Sequence, residues 1–231
     1  MAVKDITSTT NTRSTICALI PRIGSGHTLP ILFDQNRKPI SHFFCANLNS
    51  FALDFVARTK IQGNHLTWHL LKDLPVIRSE VYAARRFGNR TAAEIVEDHV
   101  LRLTYTAHDM APFARDMGYV NKAGTAKPPI IWNEVARRHL RARLDALYFI
   151  LYGVTDDDDI GYILSTFPIV ERKDREAFDD VYLTRELVLW YKRALEASDV
   201  DTVAPESELI RLAKSRGSGA PVSATTAPGS A

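Results

Sequence analysis

Residues 51–77 read FALDFVARTKIQGNHLTWHLLKDLPVI. Asn49 or Ser50 stands in place to cap a helix beginning near Phe51, and Leu53, Phe55 and Val56 give that helix an apolar surface. The helix runs into a basic loop broken by Gly63, and an aromatic-rich extended segment follows. Within that segment the run 66–71 fits a strand or a helix, and its periodicity does not choose. The loop offers Arg58, Lys60, Gln62, Asn64 and His65 between two apolar anchors. That set suits contact with a polyanion better than bond-making chemistry. Arg and Lys neutralise phosphates, whereas Gln, Asn and Arg make paired hydrogen bonds to base edges. Gly63 lets the backbone approach a ligand closely or take a positive φ.

Toward the N-terminus, residues 15–20 and 29–33 are short apolar runs that predict strands, with Pro, Gly and Ser turn chemistry at 21–26 between them. Phe43, Phe44 and Cys45 suggest a third strand. Toward the C-terminus, residues 78–90 read as a linker, closing on Arg85-Arg86-Phe87-Gly88-Asn89-Arg90. Thr91 then caps a helix to about residue 105, with Glu94 at the capping-box position. A short helix spans 110–117 and stops at Gly118. A loop at 123–129 leads to the strongest helix, 131–152, where Leu140, Leu144, Leu147 and Leu151 line one face. Thr155 or Asp156 caps a helix ending before Pro168, and a last helix runs from 182 to 197. After Ser215 the Gly, Ser, Ala, Pro and Thr composition predicts disorder. The expected fold is α+β: a small strand-containing recognition region at 1–84, a helical region at 91–197 and a flexible tail at 198–231.

Composition narrows the function classes. The 231 residues are 45% hydrophobic, ample for a core, and 24% charged, ordinary for a soluble protein. No apolar run approaches the roughly 18 residues of a membrane helix, and the first residues carry no signal-peptide pattern, so a cytoplasmic location is expected. Cys17 and Cys45 are the only cysteines and read as buried thiols, without the ligand pattern of a zinc site. Through Arg90 there are 12 Lys and Arg against 5 Asp and Glu; from Thr91 onward there are 17 against 22. A basic first part therefore precedes a mildly acidic remainder, the polarity of a nucleic-acid-binding half joined to a helical half.

Arg13, Arg22 and His27 form a second candidate set around Gly24-Ser25-Gly26. That turn is neither a dinucleotide fingerprint nor a Walker loop, because the third glycine and a following Gly-Lys-Ser/Thr are absent. A plain hairpin bend fits it at least as well as a DNA contact. Asp156 to Asp159 are better placed to cap a helix than to hold magnesium. Arg137, Arg138 and Arg141 share the polar side of the long helix. They form either a solvated face paired with acids or a basic stripe for a DNA backbone.

Three groups of residues, in order, resemble one family. The first is Arg13-Ser14-Thr15, with Leu19-Ile20-Pro21-Arg22 and Gly26-His27. The second is Ala57-Arg58 with Lys60 and Gly63, then Asn64-His65-Leu66 and Leu74-Pro75-Val76. The third is Leu144-Asp145-Ala146-Leu147, Leu151-Tyr152-Gly153 and 162–168, YILSTFP. Together these resemble the C-terminal target-recognition region of large adenine-specific DNA methyltransferases of restriction-modification and phage-defence systems (type IIG-like enzymes). The resemblance implies double-stranded DNA as one partner and a methyltransferase catalytic domain or subunit as another. It implies DNA contacts from Arg13, Arg22, His27, Arg58, Lys60, Gln62, Asn64 and His65. S-adenosylmethionine is expected on that catalytic domain and no cofactor in this chain. No Asn/Asp-Pro-Pro-Tyr/Phe motif occurs here, the nearest approach being Lys127-Pro128-Pro129-Ile130. No catalytic residue is therefore assigned. A protein-interaction module docking to a methyltransferase subunit without touching DNA is the alternative.

Overall fold

A computed structural model describes residues 1–8, 11–21, 23–33, 41–61 and 63–217. It is an α+β structure, mainly helical, with two small antiparallel two-stranded sheets. The first sheet pairs β1 (Ala2–Val3) with β2 (Cys17–Ala18). The strand expected at 15–20 is thus two residues long, and the run at 29–33 contributes only a bridge from Ile31 to Ala2.

The third expected strand is not a strand. Residues 43–45 lie inside helix α1 (Ser41–Leu48). The aromatic and thiol side chains that favour a strand locally find their burial on a helix instead, where Phe43 stacks on Tyr82 with ring centroids 4.7 Å apart. Strand propensity is a preference for a packed surface, and here another surface supplies the packing. Helix α2 (Phe51–Lys60) follows, its N-terminus capped by the Ser50 hydroxyl accepting from the Leu53 N–H. Residues 66–71, undecided by period, mostly enter a short helix, α3 (Trp68–Lys72), capped by Thr67.

The expected linker at 78–90 is ordered structure. It forms α4 (Ser79–Ala84) and a hairpin of β3 (Arg86–Phe87) and β4 (Arg90–Thr91), turned by Gly88 at φ +58°. Thr91 and Glu94 make the capping box that opens α5 (Ala92–Thr104). A 3-10 turn (His108–Met110) and α6 (Ala111–Asp116) precede Gly118, which takes φ +71°. The long helix α7 (Glu134–Leu151) starts three residues later than expected, because Asn133 accepts the Ala136 N–H and sets the cap. Gly153, at φ +77°, follows its end.

Asp156 caps α8 (Asp157–Ser165), accepting the N–H groups of Asp158 and Asp159. Pro168 does more than end α8. It opens α9 (Pro168–Ala177), a helix the sequence reading did not assign, at the first-turn position where a missing N–H costs nothing. Helix α10 (Leu183–Glu196) packs along α7, and α11 (Glu206–Gly217) lies in the stretch expected to be tail, with Leu209 buried. The composition-biased residues 218–231 lie outside the described residues.

Helix α2 has a core on each side. Phe51 and Ala52 join the main cluster with Ile95, Leu147, Leu164 and Leu187. Leu53, Ala57 and Ile61 join a second one with Val3, Leu48, Leu66 and Leu71. The main cluster therefore includes side chains from both the expected recognition region and the helical region. Among the described residues no helix is long and apolar enough to cross a membrane.

Candidate nucleic-acid interface

The polar loop after α2 is held by the N-terminal segment. The Thr7 N–H donates to the Asn64 carbonyl at 2.9 Å, and the Leu66 N–H donates to the Asp5 carbonyl at 2.8 Å. His65 Nδ1 sits 2.9 Å from the Asp5 carboxylate. The Asp5 N–H donates to the Thr28 carbonyl, so the turn carrying His27 and the loop carrying His65 meet at Asp5. Within the turn, the Ser25 hydroxyl and the Leu29 N–H close the bend, and His27 is exposed. Lys60, Asn64 and His65 are also exposed. With Gly63, Thr67 and Leu70 they line a shallow depression of about 390 Å³. Gly63 does not take a positive φ, and the space beside it is open. Arg22 and Gln62 lie outside the described residues.

Arg58 and Arg13 face elsewhere. The Arg58 side chain is only 9% exposed. It donates to the carbonyls of Thr166 at 3.0 Å and Asn11 at 2.9 Å, with its guanidinium 4.0 Å from the Phe167 ring centroid. Arg13 donates to the Asp145 carboxylate at 3.1 Å and stacks 3.1 Å over the Phe51 ring. Both guanidinium groups hold the structure together from within. Of the described candidates, Lys60, Asn64, His65 and His27 are exposed, whereas Arg13 and Arg58 are engaged by other parts of the chain.

Two carboxylates outside the expected site residues, Asp54 and Asp145, organise this interior. Asp54 is fully buried and accepts the Ser14 and Thr15 N–H groups. Burial raises its pKa, while Arg13, the Ser14 hydrogen bond and Arg58 pull it back. Asp145 accepts the Phe51 N–H at 2.8 Å beside its bond to Arg13, and burial raises its pKa against the pull of Arg13. The available signal was an acid on an otherwise apolar helix surface: Asp54 among Phe51, Leu53 and Phe55, and Asp145 between Leu144 and Ala146. Such an acid must find donors or remain protonated.

Cys17 and Cys45 are free, buried thiols with their Sγ atoms 3.7 Å apart, and Asn49 Nδ2 donates to the Cys17 sulfur. Among the described residues no group of three or more His, Cys, Asp or Glu is placed to hold a metal. The acids at 156–159 are used otherwise, Asp156 as a cap and Asp157 in ion pairs with Lys192 and Arg193. Comparison with family models, with curated proteins and with solved structures returns no match.

Proposed function

We propose that this chain is the DNA-recognition portion of an adenine-specific DNA methyltransferase of restriction-modification or phage-defence type, without its catalytic domain. One observation carries the reading. The three sequence groups behind the resemblance interlock as a single polar network inside the fold. Arg13 reaches Asp145, Asp54 holds Ser14 and Thr15, and Arg58 reaches Thr166 and lies over Phe167. The network fixes the end of α2, and with it the exposed donors that follow.

In this reading Lys60 contacts phosphate, while Asn64 and His65 approach a base edge or sugar, with His27 beside them. The target amine and S-adenosylmethionine belong to a separate catalytic domain or subunit, so this chain binds DNA and does not methylate. The test is a salt titration of duplex binding, with the chain alone and with its methyltransferase partner. Binding should weaken steeply with salt, and Lys60→Ala should lower the slope of log affinity against log salt by about 1. Salt-insensitive binding, or none in either setting, would sink the reading.

A second reading is favoured by one surface feature. Ile131, Trp132 and Val135 are 89%, 55% and 50% exposed at the start of α7, an apolar cluster suited to a protein partner. Docking to a methyltransferase subunit without DNA contact would be indicated if Trp132→Ser abolished subunit binding while Lys60→Glu changed nothing.

A further inference from the structure

A cleft of about 740 Å³ lies between α7, α9 and the segment from Thr12 to Leu19. Its size is within the roughly 300–1,000 Å³ typical of small-ligand pockets. Half-buried Leu19, Leu103 and Val170 contribute apolar lining, with Phe51, Leu144 and Leu187 buried behind them and the Phe51 ring covered by Arg13. Arg137, Arg138 and Arg141 enter from α7, and Lys173 enters from α9.

The acids of this cleft are already engaged. Asp145 is bound to Arg13 and the Phe51 N–H, Asp174 accepts the Thr184 N–H, and Glu134 accepts the Trp132 indole N–H. Arg138 Nη1 donates to both carboxylate oxygens of Glu206, which lies outside the cleft lining. Arg137 donates to the Leu103 carbonyl and stacks on Trp132. The side chains of Arg141 and Lys173 have no ion pair or hydrogen bond among the described residues, and both residues are exposed. Burial first, and the charge of Arg141 second, pull the Arg137 pKa down. Arg141 and Lys173 keep side chains without a direct partner at the rim, although Glu134 and Asp174 also line the cleft. Cations beside an apolar wall match an anion that carries a flat, weakly polar body.

We propose that this cleft binds a nucleoside phosphate, the phosphate at Arg141 and Lys173 and the base against the apolar wall. The nucleotide is either free or one unit of a DNA strand. The inference does not rest on the role assigned to the loop after α2, which lines a different depression.

The experiment uses the full chain, with Arg141→Glu/Lys173→Glu and Arg141→Gln/Lys173→Gln as variants. Neither side chain has a partner to lose, so the unliganded melting midpoints should match wild type. Midpoints are then measured with dAMP, dCMP, dGMP, TMP or inorganic phosphate, and duplex affinity is measured across a salt series. Stabilisation by a mononucleotide that the Glu variant abolishes and the Gln variant weakens identifies a free nucleotide. Unmoved midpoints, with duplex affinity lowered about tenfold and a shallower salt slope in the Glu variant, identify a strand unit. Indifference of both readouts overturns the proposal. So does stabilisation by inorganic phosphate equal to that by every nucleotide, because the wall would then have no role. Loss of duplex binding on replacing Lys60 bears on the loop alone, so the two readings fail separately.

Discussion

The Arg13 guanidinium donates to the Asp145 carboxylate at 3.1 Å, joining residues 132 positions apart in the chain. Asp145 is almost wholly buried, and its other oxygen accepts the N–H of Phe51, the first residue of α2. One carboxylate therefore ties the N-terminal segment, the first turn of α2 and the long helix α7 together.

Removing the charge from Asp145 should be costly. Asp145→Asn removes the buried carboxylate that pairs with Arg13 and leaves that guanidinium only the more distant charge of Asp54. The expected loss is about 3–5 kcal/mol of unfolding free energy, the range for breaking one side of a buried pair. Urea unfolding followed by circular dichroism measures it. A loss within that of an ordinary surface substitution would mean that the pair does not secure the junction.

Arg58 and Lys60 should separate stability from binding. Arg58→Ala strands the carbonyls of Thr166 and Asn11 and removes the cation from the Phe167 ring, so it should cost about 2–4 kcal/mol. Lys60→Ala removes an exposed side chain with no partner among the described residues and should stay within about 0.5 kcal/mol of wild type. Paired melting curves decide this. Equal effects would contradict the division between an interior and a surface cation.

His42 should contribute an acid-sensitive term. Burial holds its pKa down at about 4, below the ordinary 6.5. Glu97, half-exposed and 3.8 Å away, does not offset this. Because the folded-state pKa is lowered, the contribution is complete above about pH 6.5, where both states are neutral. It falls away toward pH 4, as the unfolded chain takes up a proton that the native imidazole refuses. Asp54 and Asp145, with raised pKa values, give the opposite slope, so the comparison must be with His42→Gln. Denaturant midpoints at pH 7 and pH 4.5 should drop less for the variant than for wild type. Identical drops would remove His42 from the account.

Two glycines with positive φ should respond differently to a methyl group. At Gly153 the added Cβ meets open space, so Gly153→Ala should cost only the left-handed backbone penalty, about 1–2 kcal/mol. At Gly88 the same atom would lie 2.8 Å from the Ser198 carbonyl oxygen. Gly88→Ala should therefore cost about 2–4 kcal/mol, because backbone must move as well. Thermal midpoints of the two variants measure the difference, and equal shifts would show that the hairpin moves freely away from Ser198.

Much of the helical half was legible because its signals are local. Thr91 with Glu94, Asp156 before its acids and glycine after α7 each act within one turn of chain. The four-and-three spacing of Leu140, Leu144 and Leu147 likewise marks buried positions of α7, but Leu151 is only half-buried and residues 142–150 are buried on every side, which the spacing does not show. The first half was less legible. Its strands shrink to two residues, and Phe43 to Cys45 turn helical, since what those side chains need is a packed surface and several arrangements supply one. The α9 helix was missed because a proline that can end one helix can also begin the next.

For the candidate site, the sequence by itself determined that an apolar helix runs into a polar segment broken by Gly63. Arg58 and Lys60, expected in that loop, lie instead on the last turn of the helix. Only the tertiary structure decided which cations face outward. Arg58 and Lys60 sit two positions apart on one helix with the same charge, yet one is stacked on Phe167 and the other reaches water. That choice was made by Thr166 and Phe167, more than 100 positions away in the chain, and by the Asn11 carbonyl. Charge is written residue by residue, but burial is set by whichever distant segments close over a side chain.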